Sequence, residues 1–244
     1  MFGKRRAAAV VAEFLGTGAL TLLILSVQRS TIGVPFFVAI AAGLTVALMM
    51  FAFSDVTTGF FNPATTLAMW TARKLTAFAG ISYIAAQMLG AWGAYALYKY
   101  FSNAPLQAVG GHYSTRILIA EAVGTAVFAF GFAAAVYQRY SAAVTASFAG
   151  LAFMLGIVAA SSASIGLLNP AVALGIHSWV WGTYVLGPVL GAIVGVNLYD
   201  LLFAAEGEST NLLALTNASG ASVTSAASSK PARPAKKRAN SRKK

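Results

Sequence analysis

Residues 59–67 read GFFNPATTL, and residues 166–174 read GLLNPAVAL. Both carry Gly-x-x-Asn-Pro-Ala, 107 positions apart, and they diverge immediately after the Ala. Asn is a favoured helix N-cap, and Pro is favoured at the first helical position, where its missing N–H costs nothing. Each stretch therefore predicts the start of a helix. The apolar pieces that begin there, 62–72 and 169–178, are too short to cross a bilayer: a core of about 30 Å requires about 20 residues at about 1.5 Å each. They read as half-helices that enter a membrane and end midway.

The rest of the chain supports a membrane as solvent. Of 244 residues, 58% are apolar and only 9% are charged, against about a quarter charged in a soluble domain. Full spans are predicted near 7–28, 34–54, 77–101, 116–138, 142–163 and 180–203. The first follows Lys4-Arg5-Arg6 and contains Glu13; it is too long for the core of a cleaved leader and reads as a span. The halves repeat: Ala12-Glu13-Phe14-Leu15-Gly16-Thr17 returns as Ala120-Glu121-Ala122-Val123-Gly124-Thr125, and Ala42-Gly43-Leu44 as Ala149-Gly150-Leu151. Leu89-Gly90-Ala91 likewise returns as Leu190-Gly191-Ala192. Each half runs span, span, half-helix, span. Three spans is an odd number, so the second half must sit upside down relative to the first. The expected fold is thus all-α, with six transmembrane helices and two re-entrant half-helices in an inverted repeat. Its membrane domain covers 7–203, in halves of about 7–101 and 116–203, between a basic stretch 1–6 and a tail from 204 to 244.

Charge places the termini. Residues 1–203 hold nine Lys/Arg and four Asp/Glu, whereas 209–244 hold eight Lys/Arg and no acid. The net charge of +11 therefore belongs largely to the tail. Lys4, Arg5, Arg6, Arg73, Lys74 and Arg139 fall on the tail's side of the membrane, Arg29 and Arg116 on the other, which predicts cytoplasmic termini; the lack of a targeting signal favours a plasma membrane. The tail, ending PARPAKKRANSRKK, lacks residues to fold around and is expected to be disordered and drawn to anionic lipid. Nucleic acid is a weaker expectation for it. Asn217-Ala218-Ser219 fits a glycosylation pattern, but on the cytoplasmic side it would not meet that machinery.

In an inverted repeat the half-helices approach from opposite faces. Their N-termini, each with unpaired N–H groups and a partial positive charge, meet near the midplane. Asn62 and Asn169 cap those ends and aim their amides into a common space, and Ala64 and Ala171 are small enough for the ends to touch. Such a gap accepts neutral molecules bearing a hydroxyl and repels cations and protons. Glu13 and Glu121 are costly in lipid. They read either as an ion relay or, better given their matched positions, as acceptors for the irregular backbone beside each half-helix. His177 is expected to be packed or solvent-facing rather than a pH sensor. Asp55 and Asp200, at span ends, are expected to be solvated or paired with basic loop residues.

Zero cysteines and two histidines leave no disulfide framework, thiolate site or catalytic metal set. No nucleophile–base pair appears either, so neither an enzyme nor a cofactor is expected.

The paired Asn-Pro-Ala boxes (Asn62, Pro63, Ala64 and Asn169, Pro170, Ala171), the two Ala-Glu-x-x-Gly-Thr starts, Ala86-Gln87-x-x-Gly90 and Gly187-Pro188-x-x-Gly191 resemble the aquaporin, or major intrinsic protein, family over about 7–203. The resemblance implies a passive channel and a homotetramer with a pore in every subunit. It also implies a second, outer filter at Ala42, Ile157, Gly166 and Val172. Here the sequence departs from the family. An Arg usually follows the second box where Val172 stands, and in water-selective members an aromatic and a His usually occupy the places of Ala42 and Ile157. Phe60 stands where a His usually precedes the first box. A filter of Ala, Ile, Gly and Val has no ion or side-chain donor, and its small members favour an open path for water and small neutral solutes such as glycerol, urea or ammonia. A coupled secondary transporter and a non-conducting scaffold are the alternative readings.

Overall fold

The computed structural model describes residues 4–30, 34–103, 106 and 112–204. Within them lie eight α-helices: α1 (Lys4–Gln28), α2 (Pro35–Ala52), α3 (Pro63–Thr71), α4 (Ala77–Ser102), α5 (Thr115–Tyr137), α6 (Ala142–Ala160), α7 (Pro170–Gly175) and α8 (Leu186–Phe203). A single π-helical turn, Trp181–Val185, leads into α8. The predicted tail and its lipid contacts lie almost wholly outside the described residues.

Sequence chemistry sets most of the starts. Proline opens α2, α3 and α7, while Thr76 and Ser114 cap α4 and α5 by accepting from Ala79 N and Ile117 N. Five segments are long and apolar enough to span a bilayer: α1, α2, α5, α6 and the continuous stretch Trp181–Phe203. The fourth helix, α4, has the length for it at 26 residues, but Gln87, Lys99 and Ser82 dilute its apolar character.

The half-helices close without a glycine at the left-handed position. Both close through an αL residue, Arg73 at φ 57° and His177 at φ 65°. In each, the next N–H reaches back five residues, Lys74 N to Met69 O at 2.8 Å and Ser178 N to Ala173 O at 2.9 Å. This closure satisfies the last carbonyls. It also ends α7 at Gly175, three residues short of the end of the stretch 169–178 expected from sequence.

Packing follows the repeat. Within each half the first span pairs with the third (α1 with α4, α5 with α8), and α2 crosses α6 between the halves. Each half-helix inserts into the opposite half, α3 against α8 and α7 against α4, which interlocks the two. Lipid gives no hydrophobic drive between spans, so close approach through small residues takes its place. At the α2–α6 crossing a Cβ on Gly43 would come 2.7 Å from Gly150 O, and at the α5–α6 crossing one on Gly124 would come 2.5 Å from Gly156 O. Large apolar side chains such as Leu44, Leu48, Ile81 and Leu201 cover the outer surface.

At the end of the molecule where α1 begins, Lys74 is only 2% exposed. Its ammonium lies 3.5 Å from Asp200 Oδ1 and 4.6 Å above the Tyr137 ring. That arrangement ties the C-terminus of α3 to the ends of α5 and α8.

Candidate functional site: the paired Asn-Pro-Ala boxes

The two half-helices meet at their N-termini, and each asparagine is oriented from both sides. Asn62 Oδ1 accepts from Ala64 N of its own helix at 2.8 Å, while its Nδ2 donates across to Leu168 O at 2.8 Å. Asn169 repeats the pattern, with Ala171 N donating to its Oδ1 at 3.0 Å and its Nδ2 donating to Phe61 O at 2.8 Å. Reversing either amide would set oxygen against oxygen, so this network defines its orientation. Both side chains are buried, as are Ala64 and Ala171.

The carbonyls that receive these amides belong to residues in left-handed backbone, Phe61 at φ 47° and Leu168 at φ 53°. Such conformations cost of order 1–3 kcal/mol in a non-glycine residue and need outside support. Glu13 and Glu121 supply it. Glu13 accepts from Phe60 N at 3.0 Å, Phe61 N at 2.7 Å, Thr57 Oγ1 at 2.8 Å and Gln87 Nε2 at 2.8 Å. Glu121 accepts from Leu167 N at 2.9 Å, Leu168 N at 2.7 Å and the Ser164 hydroxyl. Successive N–H groups converging on an anion form a backbone nest. Each nest turns the donors of its segment inward to the carboxylate, which is how a fully buried acid is tolerated in this setting.

Sequence reading missed three members of this arrangement. Thr57 and Ser164 also accept from Gly59 N at 3.1 Å and Gly166 N at 3.2 Å; a hydroxyl two residues before the shared glycine was the available signal. Gln87 bridges Glu13 and the Thr66 hydroxyl, 3.0 Å away, and it has no counterpart in the second half, where Pro188 stands.

Of the four expected filter residues, Ala42 lies on α2, Ile157 on α6, Gly166 in the loop before α7 and Val172 in the first turn of α7. Ala42, Ile157 and Val172 join one buried apolar cluster, and each is 0% exposed. Gly166 lies against Ile157: a Cβ there would stand 3.0 Å from Ile157 Cγ2, on backbone at φ 68°. Both the turn and the contact require its smallness.

His177 is exposed and stacks on Tyr95, with ring centroids 4.8 Å apart. Asp55 is exposed and Asp200 pairs with Lys74. Among the described residues no group of three or more His, Cys, Asp or Glu gathers as a metal site.

Comparison with known proteins agrees with this architecture. The pattern of the Major intrinsic protein family matches residues 4–199. Aquaporin Z of Photorhabdus laumondii is 29% identical, across 80% of this chain and 97% of that protein. The glycerol uptake facilitator protein-like 6 of Lactiplantibacillus plantarum is 32% identical, across 75% and 93%. The solved structure of the aquaglyceroporin from Plasmodium falciparum superposes with a TM-score of 0.70 at 18% identity, covering 81% of this chain and 96% of that one; at that identity the likeness speaks for the fold. An interlocked inverted repeat, head-to-head boxes and a match along most of the length agree: the chain belongs to the major intrinsic protein family, and it is a membrane channel rather than an enzyme.

Proposed function

We propose that each subunit conducts water and small neutral solutes of the glycerol, urea or ammonia class down their gradients, past the Asn62–Asn169 pair. The reciprocal asparagine bonds carry this reading. A carboxamide nitrogen has two protons; one of each is committed to a carbonyl of the other half, and the second can donate to a passing oxygen. A cation finds donors and helix N-termini there instead of acceptors. Val172, Ala42, Ile157 and Gly166 form the outer filter in this reading. With no fixed charge among them, ion rejection falls to the central pair.

A coupled transporter needs an ionisable group that can change partners. Both buried carboxylates are already occupied, by four donors at Glu13 and three at Glu121, which favours a passive path. We further propose a homotetramer in the plasma membrane, both termini cytoplasmic, with the basic tail on anionic lipid.

The test is stopped-flow volume change of liposomes carrying the full chain, under imposed water, glycerol and urea gradients with and without a proton gradient. Flux linear in the solute gradient and indifferent to protons is expected. Saturating, proton-dependent flux would make it a transporter, and silent liposomes holding intact protein would make it a scaffold.

A further inference from the structure

The buried side chains between the asparagine pair and the Lys74 end differ from those at the mirror-image positions. The Phe60 ring lies 5.9 Å from that of Phe132 and 6.0 Å from that of Tyr83. Phe132 lies 5.8 Å from Phe128, and Phe128 meets Phe153 edge to face at 4.7 Å. Phe60 sits two residues before Asn62, Phe128 and Phe132 sit on α5, and Phe153 sits on α6, so the rings come from both halves of the repeat. Exposure is 6% at Phe60, 2% at Phe128, 0% at Phe132 and 1% at Phe153. These rings occupy the α3 side of the asparagines, because Phe60 belongs to the segment feeding α3 and α5 runs on from Phe132 to Tyr137 beside Lys74.

The repeat supplies an internal comparison. With the offsets of 107 and 108 residues that relate the halves, Phe60 corresponds to Leu167, Phe128 to Leu20, Phe132 to Ile24 and Phe153 to Val46. All four counterparts are buried aliphatics. The aromatic cluster is therefore specific to one side of the asparagine pair and is not a requirement of the fold.

We propose that the interlocked rings of Phe60, Phe132, Phe128 and Phe153 form the size-selecting constriction of this channel, in place of the outer set Ala42, Ile157, Gly166 and Val172. The inference rests on the passive-channel reading above. Phe128 and Phe132 are one helical turn apart, so their rings line about 6 Å of path, longer than one water. Along that length the ring edges offer a passing hydroxyl no acceptor. Each ring is also backed by another on a different element, so one cannot turn aside without disturbing the next. The outer set is a single layer, and two of its four members end at Cβ or before it.

The experiment compares reconstituted full-length wild type with Phe60→Leu, Phe128→Leu, the double change Phe128→Leu/Phe132→Leu, and Val172→Ala. Glycerol and water permeabilities are measured on each. The double variant is expected to pass glycerol about tenfold faster, the change that a barrier lowered by about 1.4 kcal/mol produces, with a smaller gain for water and a smaller gain still from Val172→Ala. Phe128→Trp, which enlarges a ring, should slow both and so reads the same constriction with opposite sign if a leucine variant fails to fold. Wild-type flux unmoved by these changes, or a larger gain from Val172→Ala, overturns the ring constriction and leaves the channel standing. Absence of flux in wild type and every variant overturns both.

Discussion

Gly43 and Gly150 lie back to back where α2 crosses α6: a Cβ on Gly43 would sit 2.7 Å from Gly150 O and 2.9 Å from Met154 Cβ. They are equivalent positions of the two halves, so the molecule's pseudo-twofold relation passes through their contact. Backbone meets backbone here, with no side-chain tip that could swing away. Gly43→Val is expected to force the helices apart and to cost at least the 1–3 kcal/mol typical of overpacking. Thermal unfolding in detergent should show the loss; an unchanged midpoint would mean that the crossing tolerates separation.

Glu13 and Glu121 are equivalent in position but not in the number of groups they hold. Removing Glu13 strands four donors and removing Glu121 strands three, at roughly 1–3 kcal/mol for each group left buried without a partner. Both alanine variants should be severely destabilised, Glu13→Ala the more so. Yield of intact protein after detergent extraction, compared with the glutamine variants, checks the order.

Asn62 caps α3 and bonds across to Leu168. Asn62→Ala should cost about 0.5–2 kcal/mol from the cap alone. Because the cross-bond is also lost, solute selectivity should fall more than stability does. Permeability and melting measured on one preparation separate the two effects.

Val172→Arg restores the residue usual in the family and places a guanidinium where an apolar side chain is now wholly buried. It should suppress glycerol and urea flux more than water flux. Equal suppression of all three would mean simple blockage.

Lys74 is held by Asp200 and the Tyr137 ring. Lys74→Ala loses the ion pair, the cation–π contact and the buried stem. Lys74→Met keeps the stem, so it should be the milder change, the charge-dependent part being about 1–2 kcal/mol. Unfolding at low and high salt should show little screening, since the ammonium is buried.

The six spans, the two short helices and the inversion of the halves were legible from residue order, because apolar length and an odd number of crossings are properties of the chain itself. The boxes were legible for the same reason: Asn followed by Pro states a helix start locally. Other features depend on groups far apart in sequence. Gln87 reaches Glu13 across 74 positions, and each asparagine amide finds a carbonyl more than 100 positions away. The end of α7 escaped detection because His177 adopts αL backbone where a glycine would have announced it, whereas α3 closes within a residue of the expected position. The contact of Gly166 with Ile157, which a Cβ would crowd, likewise joins the second loop to α6 and could not be read locally.

Length, hydropathy and the doubled Asn-Pro-Ala were enough to determine that this chain is a membrane-embedded inverted repeat, since lipid forces every backbone polar group into helices or into sheltered breaks between them. The tertiary structure alone decided what those breaks hold. It wound two short segments into nests around Glu13 and Glu121, crossed the asparagine amides, and brought four phenylalanines from both halves into one cluster. Such choices arise from packing among distant residues, which no local pattern encodes.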